Sequence, residues 1–271
     1  MKKTIQYVVG LIFLCNHIQA QELFTYTEPA SNMAKGTIGI RMTSTLMSIT
    51  NDASINTHIN PELMMGWNKH WMFHVDGFAS NRRNGLQWEG GSFYTKYRFY
   101  SEDEVHSHFR MAAYGLIGLN KSDMHQLAID LRGHNSGWEA GIVATKLKHK
   151  TAVSASAALV HAWNNTSLNK FPFSNDYRNA IGYTLSIGKL LLPKEYTSYR
   201  QTNLNGMVEV LGQYHPAWGK SYLDVAPVLQ FIFLSRMRLD LSYRFNLVND
   251  LTRTAPSGGL IRLEYNFFNA F

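Results

Sequence analysis

The chain has 271 residues, 45% hydrophobic and 13% aromatic, with 7 prolines and no low-complexity tract. That composition belongs to an ordered protein and excludes a disordered or collagen-like one. The formal net charge of +7 could suit a polyanion, but no Lys/Arg run or nucleic-acid-binding motif accompanies it, so no nucleic-acid partner is expected.

At the start, Lys2 and Lys3 precede an apolar stretch over 7–15, and Ile18-Gln19-Ala20 places a small residue before Gln21. These are the parts of a secretory leader, residues 1–20, cleaved near Ala20. The apolar stretch is too short to span a bilayer as a helix, which needs about 20 residues. Cleavage removes Lys2 and Lys3 and so lowers the net charge by two, to +5. It also removes Cys15, the sole cysteine, so the mature chain has no disulfide to rely on. Residues 21–36 read as a lead-in to a single domain spanning 21–271.

From there hydrophobic residues recur with period two and almost nowhere with period 3.6. In the first strand Ile38, Ile40, Met42 and Leu46 oppose Thr37, Arg41, Thr43 and Thr45. Weaker strand signals follow at 61–67 and 152–162. Ile181, Tyr183, Leu185 and Ile187 alternate with Gly182, Thr184, Ser186 and Gly188. The cleanest run, 238–247, sets Leu239, Leu241, Tyr243, Phe245 and Leu247 against Arg238, Asp240, Ser242, Arg244 and Asn246. Its ten residues match the roughly 9–11 that a tilted strand needs to cross hydrocarbon. Short connections are expected at 68–70, 101–106, 148–150, 192–199 and 234–237. Long polar ones are expected at 48–60, 81–87, 120–135, 164–179, 213–221 and 248–259. Eleven connections imply twelve strands, with ten or fourteen as alternatives. Trp67 with Trp71, Tyr97 with Phe99, Phe231 with Phe233, and Phe267 with Phe271 lie beside the short turns, where amphipathic rings would meet lipid headgroups.

The chain ends on Leu260-Ile-Arg-Leu-Glu-Tyr-Asn-Phe-Phe-Asn-Ala-Phe271. Ile261, Leu263, Tyr265, Phe267 and Phe271 are expected on one face, Arg262, Glu264 and Asn266 on the other. Such a strand fits between lipid and a wet lumen. In this it resembles the outer-membrane β-barrels of Gram-negative bacteria. The resemblance implies an all-β, transmembrane, antiparallel up-and-down barrel in the outer membrane, contacting outer-membrane lipid. It further implies that Tyr265, Phe267 and Phe271 form a signal read by the barrel-assembly machinery.

Strand parity directs Arg41, Lys96, Arg98, Arg110, Arg238, Arg244 and Arg262 into the lumen, against Glu62, Asp76, Glu139, Glu209, Asp224, Asp240 and Glu264. Equal numbers of the two signs make no ring of one charge and hence no strong ion selector. Two readings follow: a narrow mixed-charge channel or transporter for small polar solutes, or a closed structural barrel whose charges pair across strands. Twelve strands fall between the eight that leave room only for side chains and the 16–18 that leave an aqueous pore.

An enzyme is the competing class. Outer-membrane phospholipase A resembles this chain in architecture, and its family motif sets histidine two residues before a nucleophilic serine, followed by Asn-Gly. Here His74 precedes Ser80 by six residues, with Asn84-Gly85 beyond. Six residues along a strand span roughly 20 Å, too far for a nucleophile and its base, so no catalytic residue is expected there. Metal is the third possibility. Ten histidines remain once His17 leaves with the leader. His106 and His108 are expected on one strand face, and His125 and His134 in one loop, but no cysteine or carboxylate completes a ligand set. Met64 and Met65 read as lipid-face and lumen filler rather than as soft-metal ligands. No metal or cofactor is expected.

Overall fold

A computed structural model describes residues 24–48, 55–83, 85–124, 126–165, 171, 175–195, 198 and 200–271. The leader and His125 lie outside these. Among the described residues there are twelve strands: β1 Thr37–Ser48, β2 Ile55–Gly66, β3 Trp71–Arg83, β4 Gly85–Glu104, β5 Ser107–Asn120 and β6 Gly137–Lys148, then β7 Thr151–Ala162, β8 Asn179–Leu192, β9 Asn203–His215, β10 Lys220–Phe233, β11 Met237–Asn249 and β12 Ser257–Phe267. Each pairs antiparallel with the next, and β12 closes on β1 from Ile38↔Phe267 to Ser48↔Ser257. Closure leaves no edge strand, so every ladder hydrogen bond finds a partner without water, as hydrocarbon demands.

The period-two pattern becomes two surfaces. On β8, Leu185 and Ile187 are each 52% exposed while Ser186 between them is fully buried. Ile40, Leu63, Val75, Phe93, Ile117, Leu229, Leu241 and Leu263 face outward in the same way. Apolar side chains outside and polar ones inside invert the order of a soluble protein and match a barrel in lipid. Trp67, Trp71, Tyr97, Phe99, Phe267 and Phe271 form an exposed aromatic band at the end that holds both β1's start and β12's finish. Trp71 and Tyr97 meet there with centroids 4.8 Å apart.

Parts of several expected loops are strand instead, among them 101–104 at the end of β4. Pairing runs to Arg83↔Gly85, so 81–83 and 85–87 are strand; Gly85 takes φ +82, which a glycine supplies at no steric cost. Residues 213–221 shrink to a turn over 216–219, with Gly219 at φ +62. β2 begins at Ile55, six residues before Pro61, because Asn56 and His58 are inward-facing wall rather than loop. The terminal strand is shorter than its alternation implies. It stops at Phe267, Asn269 takes φ 54, and Phe271 leaves the strand to rest against Trp67 at 6.1 Å.

Candidate functional site: a lumen closed by a floor and a ceiling

Two segments outside the strands fill the lumen. Residues 24–36 enter at the mouth where β1 begins and cross the interior as a floor. Glu209 on β9 is fully buried and accepts the backbone N–H groups of Thr25, Tyr26 and Thr27 at 2.7, 3.0 and 2.9 Å. Thr145 on β6 accepts Ala30 N–H at 2.9 Å. Lys96 Nζ on β4 donates to the carbonyls of Pro29 and Ser31 at 2.5 and 2.8 Å, and Arg262 on β12 donates to that of Thr25. Thr25 Oγ1 donates to Asp240 at 3.0 Å, and the hydroxyls of Ser186 and Thr27 meet at 2.8 Å. Phe24 packs with Leu147, Met207 and Val228.

The ceiling is the connection between β5 and β6, residues 121–124 and 126–136. Ile129 and Leu131 are buried with Leu116, Val160 and Ala180, an apolar patch on the inner wall. Gln213 clasps Ile129 through both N–H and C=O at 2.8 and 2.9 Å. Gly133, at φ +146, lies so close to the His58 ring that a Cβ there would stand 2.2 Å from it. Arg82 donates to the Gly133 carbonyl, bonds His134 and pairs with Glu89 at 2.6 Å. Burial, with Arg82 beside it, pushes the His134 imidazole down to about 3. At Asp130 desolvation would raise the carboxyl, but His134 and the Arg132 N–H hold it below its ordinary value. Nearer the rim, the connection before β12 sends Arg253 down to Asp224, Nη1 and Nη2 at 2.6 and 2.8 Å.

The fourteen parity-assigned charges differ in exposure. Arg41, Glu62, Asp76, Lys96, Arg110, Glu209, Asp224, Arg238, Asp240, Arg262 and Glu264 are buried; Arg98, Glu139 and Arg244 are partly so. They form linked clusters. Arg41 bonds Glu264 at 2.9 Å, Glu62 at 3.1 Å and Glu28 of the floor at 2.9 Å. Arg238 joins Glu264 at 3.0 Å to Asp240 at 3.3 Å. Burial would raise the Glu28 carboxyl, but Arg41, His74 and Lys96 reverse that and hold it well below the carboxylate range. Arg110 donates to Ser31 Oγ and Asp103, both at 2.8 Å, and Glu139 accepts from Tyr114 Oη at 2.9 Å. Between the clusters lies a cavity of about 20 Å³, lined by Glu28, Arg41, Arg238 and Glu264 among others. That is room for about one water.

Parity reasoning missed Glu28, Arg132, Arg253, His58, Arg82 and Glu89. The first three are not on strands, and their inward turn has no periodicity to reveal it. The other three fall in or beside stretches that read as loops. Isolated apolar residues within polar segments, Phe24 in the lead-in and Ile129 and Leu131 in the loop, were the available signal.

The other candidates separate. Ser80 Oγ donates to Glu89 at 2.7 Å while His74 Nδ1 lies 2.5 Å from Glu62, so serine and histidine belong to different clusters. His106 is in a turn, not on a strand, and stacks on His149 at 5.6 Å, while His108 bonds Asp103 at 2.7 Å. Met64 is buried beside Met33 and Met72. Glu28, Glu62 and His74 bring possible ligand atoms within 4.8 Å of one another. Arg41 already supplies a cation to both carboxylates, so a metal ion there would have to displace a guanidinium.

A closed twelve-stranded barrel with a lipid-facing belt and a polar interior defines the class: an outer-membrane β-barrel. Its fold is similar to that of an outer-membrane channel from Pseudomonas putida F1, with TM-score 0.54, 13% identity, and coverage of 90% of this chain and 99% of that one. It is also similar to the KdgM porin, with TM-score 0.50, 6% identity, and coverage of 84% and 99%. Outer membrane phospholipase A from Escherichia coli overlays at TM-score 0.43 and 12% identity over 95% and 96% of the two chains, too loosely to carry an argument. No protein-family model matches the chain, and no curated protein matches its sequence.

Proposed function

We propose that the chain is a gated outer-membrane channel for small polar solutes, exported by cleavage near Ala20 and inserted by the barrel-assembly machinery, and not an enzyme. The observation that carries this reading is how the lumen is closed. The obstruction is two separate segments laid across a charged wall, not wall side chains meeting at the axis. Either segment can leave without breaking a strand pair. The two channels with the same fold favour the reading over a sealed structural barrel. A lipid hydrolase is disfavoured because Ser80 is bonded to Glu89, a carboxylate already engaged by Arg82 and His58, while His74 is held against Glu62 in a different cluster.

The test is single-channel recording of the purified protein in a planar bilayer, beside a phospholipid-hydrolysis assay. Wild type should sit mostly closed with brief, weakly selective openings, and should not hydrolyse lipid. Replacing Arg238, Arg244 and Arg262 together should move selectivity toward cations, most visibly at low salt. A protein that passes no current even when both its floor and its ceiling are released would refute the channel.

A further inference from the structure

We infer that the lumen wall is a binding site for an extended peptide bearing a carboxylate, and that residues 24–33 occupy it as a ligand in cis. The inference rests on the lumen being able to open, as the channel reading holds.

The wall grips this segment mainly by its backbone. Three consecutive N–H groups converge on Glu209 and another goes to Thr145. Three carbonyls are held by Lys96 and Arg262. Contacts to main-chain groups can be made to any extended peptide, whatever its side chains; this is how extended ligands are held on proteins generally. Three further features confer selectivity. Arg41, with Lys96 4.0 Å from the other carboxylate oxygen, receives the acid of Glu28. The pocket of Leu147, Met207 and Val228 takes the aromatic ring of Phe24. Ala30 is fully buried against Ala112 and Val143, which favours a small side chain there. The preferred ligand is therefore an aromatic residue, an acid four positions later and a small residue two beyond that. Wall groups as deeply buried as Glu209 and Lys96 are costly unless paired, and the segment supplies their partners without a permanent cross-link. Its mouth of approach is the end bearing the chain termini, which faces the periplasm in such barrels.

A tethered occupant competes at millimolar effective concentration, so the test must first expel it while leaving the wall intact. Glu28→Arg in the full chain sets a cation against Arg41 and Lys96; Ala30→Trp overfills the small site independently. The probe is a fluorescent synthetic peptide, Phe-Thr-Tyr-Thr-Glu-Pro-Ala-Ser-Asn-Met, read by anisotropy on heat-modifiable, folded protein. It should bind both variants at least about tenfold more tightly than wild type, because the competent fraction of sites has risen. The same peptide carrying arginine for its glutamate should bind neither. Equal binding of the two peptides, or no gain over wild type in both variants, overturns the inference. Peptide binding without current in the bilayer, even with the ceiling also released, would sink the channel reading and leave the peptide site standing.

Discussion

Replacing Glu209 with alanine should release the floor and leave the barrel standing. Its carboxylate accepts three backbone N–H groups and the Ser186 hydroxyl, at 2.7 to 3.0 Å, with no exposure to solvent. Hydrogen bonds to a charged group contribute about 1.5–3 kcal/mol each. Losing the three from the backbone would cost about 5–9 kcal/mol if the segment stayed in place. That is comparable to the whole stability of a typical domain, about 5–15 kcal/mol. The segment has a cheaper course, because no strand pair depends on it: it can leave the lumen and give its N–H groups to water. The barrel's own unfolding should therefore shift far less than that sum. Glu209→Gln keeps one carbonyl acceptor and should release the floor only in part. Limited proteolysis with chymotrypsin reads this directly. Cleavage after Phe24 or Tyr26, slow in wild type, should become fast in the alanine variant while the heat-modified gel shift persists. An alanine variant whose floor stays protected, or whose barrel unfolds instead, would refute the reasoning.

Leu241 sits within the lipid belt between Leu229 and Ile261, and Leu247 is further toward the rim. Leu241→Arg should destabilise folding into liposomes by about 2–4 kcal/mol and Leu247→Arg by about 0–1 kcal/mol; equal costs in a urea titration would contradict the belt. The ceiling should loosen in acid. His134 is held neutral in the closed state, with its value lowered from 6.5 to about 3, so an opened loop gains a proton that the closed loop refuses as pH falls from 6.5 toward 3. The Asp130 carboxyl, also lowered, adds to the loss below its ordinary value of 3.8. Amide exchange over 126–136, corrected for intrinsic rates, should be faster at pH 5 than at 7.5, and His134→Gln should abolish most of that difference; pH-independent protection would count against it. Phe271→Asp should reduce the heat-modifiable protein in the outer membrane without reducing export past the inner one, and normal amounts there would remove the assembly-signal role.

The barrel was legible wherever one strand face met lipid. Around Leu185 and Leu241 each outward residue is apolar and each neighbour polar, so the period of two is imposed by the solvent difference itself. It was illegible where strands leave the membrane. At 55–60 and 81–87 only Ile55, Ile59 and Leu86 are apolar, too few among polar neighbours for a period of two to tell strand from loop. The Asn-Gly pair at 84–85 was the local turn signal, outweighed by its polar surroundings. At the carboxyl end the alternation carried past Phe267 on aromatic character alone, although Asn269 is a residue type that tolerates the left-handed turn found there. The floor and ceiling are a different case. Glu28, Arg132 and Arg253 reach their partners through tertiary placement of irregular backbone, and no sequence period encodes that.

A wall with equal numbers of acids and bases can be stable in two states. Open, its charges are hydrated. Closed, water is excluded and each buried group must be matched: Glu209 by N–H groups of the floor, Asp224 by Arg253, Asp76 by Arg132 at 3.7 Å. Burying paired charges roughly balances desolvation against attraction, so these contacts choose the closed geometry without fixing it strongly. The balance differs between the two segments. The ceiling is joined to the barrel at both Asn120 and Gly137 and anchors Ile129 and Leu131 in the largest apolar cluster of the lumen. Water cannot replace that burial, at about 1.5–3 kcal/mol per such side chain. The floor is joined to the barrel only at Gly36, held largely by hydrogen bonds that water can replace, and gains more conformational freedom on release. The first opening motion should therefore be withdrawal of the floor toward the mouth bearing the termini, with the ceiling still in place.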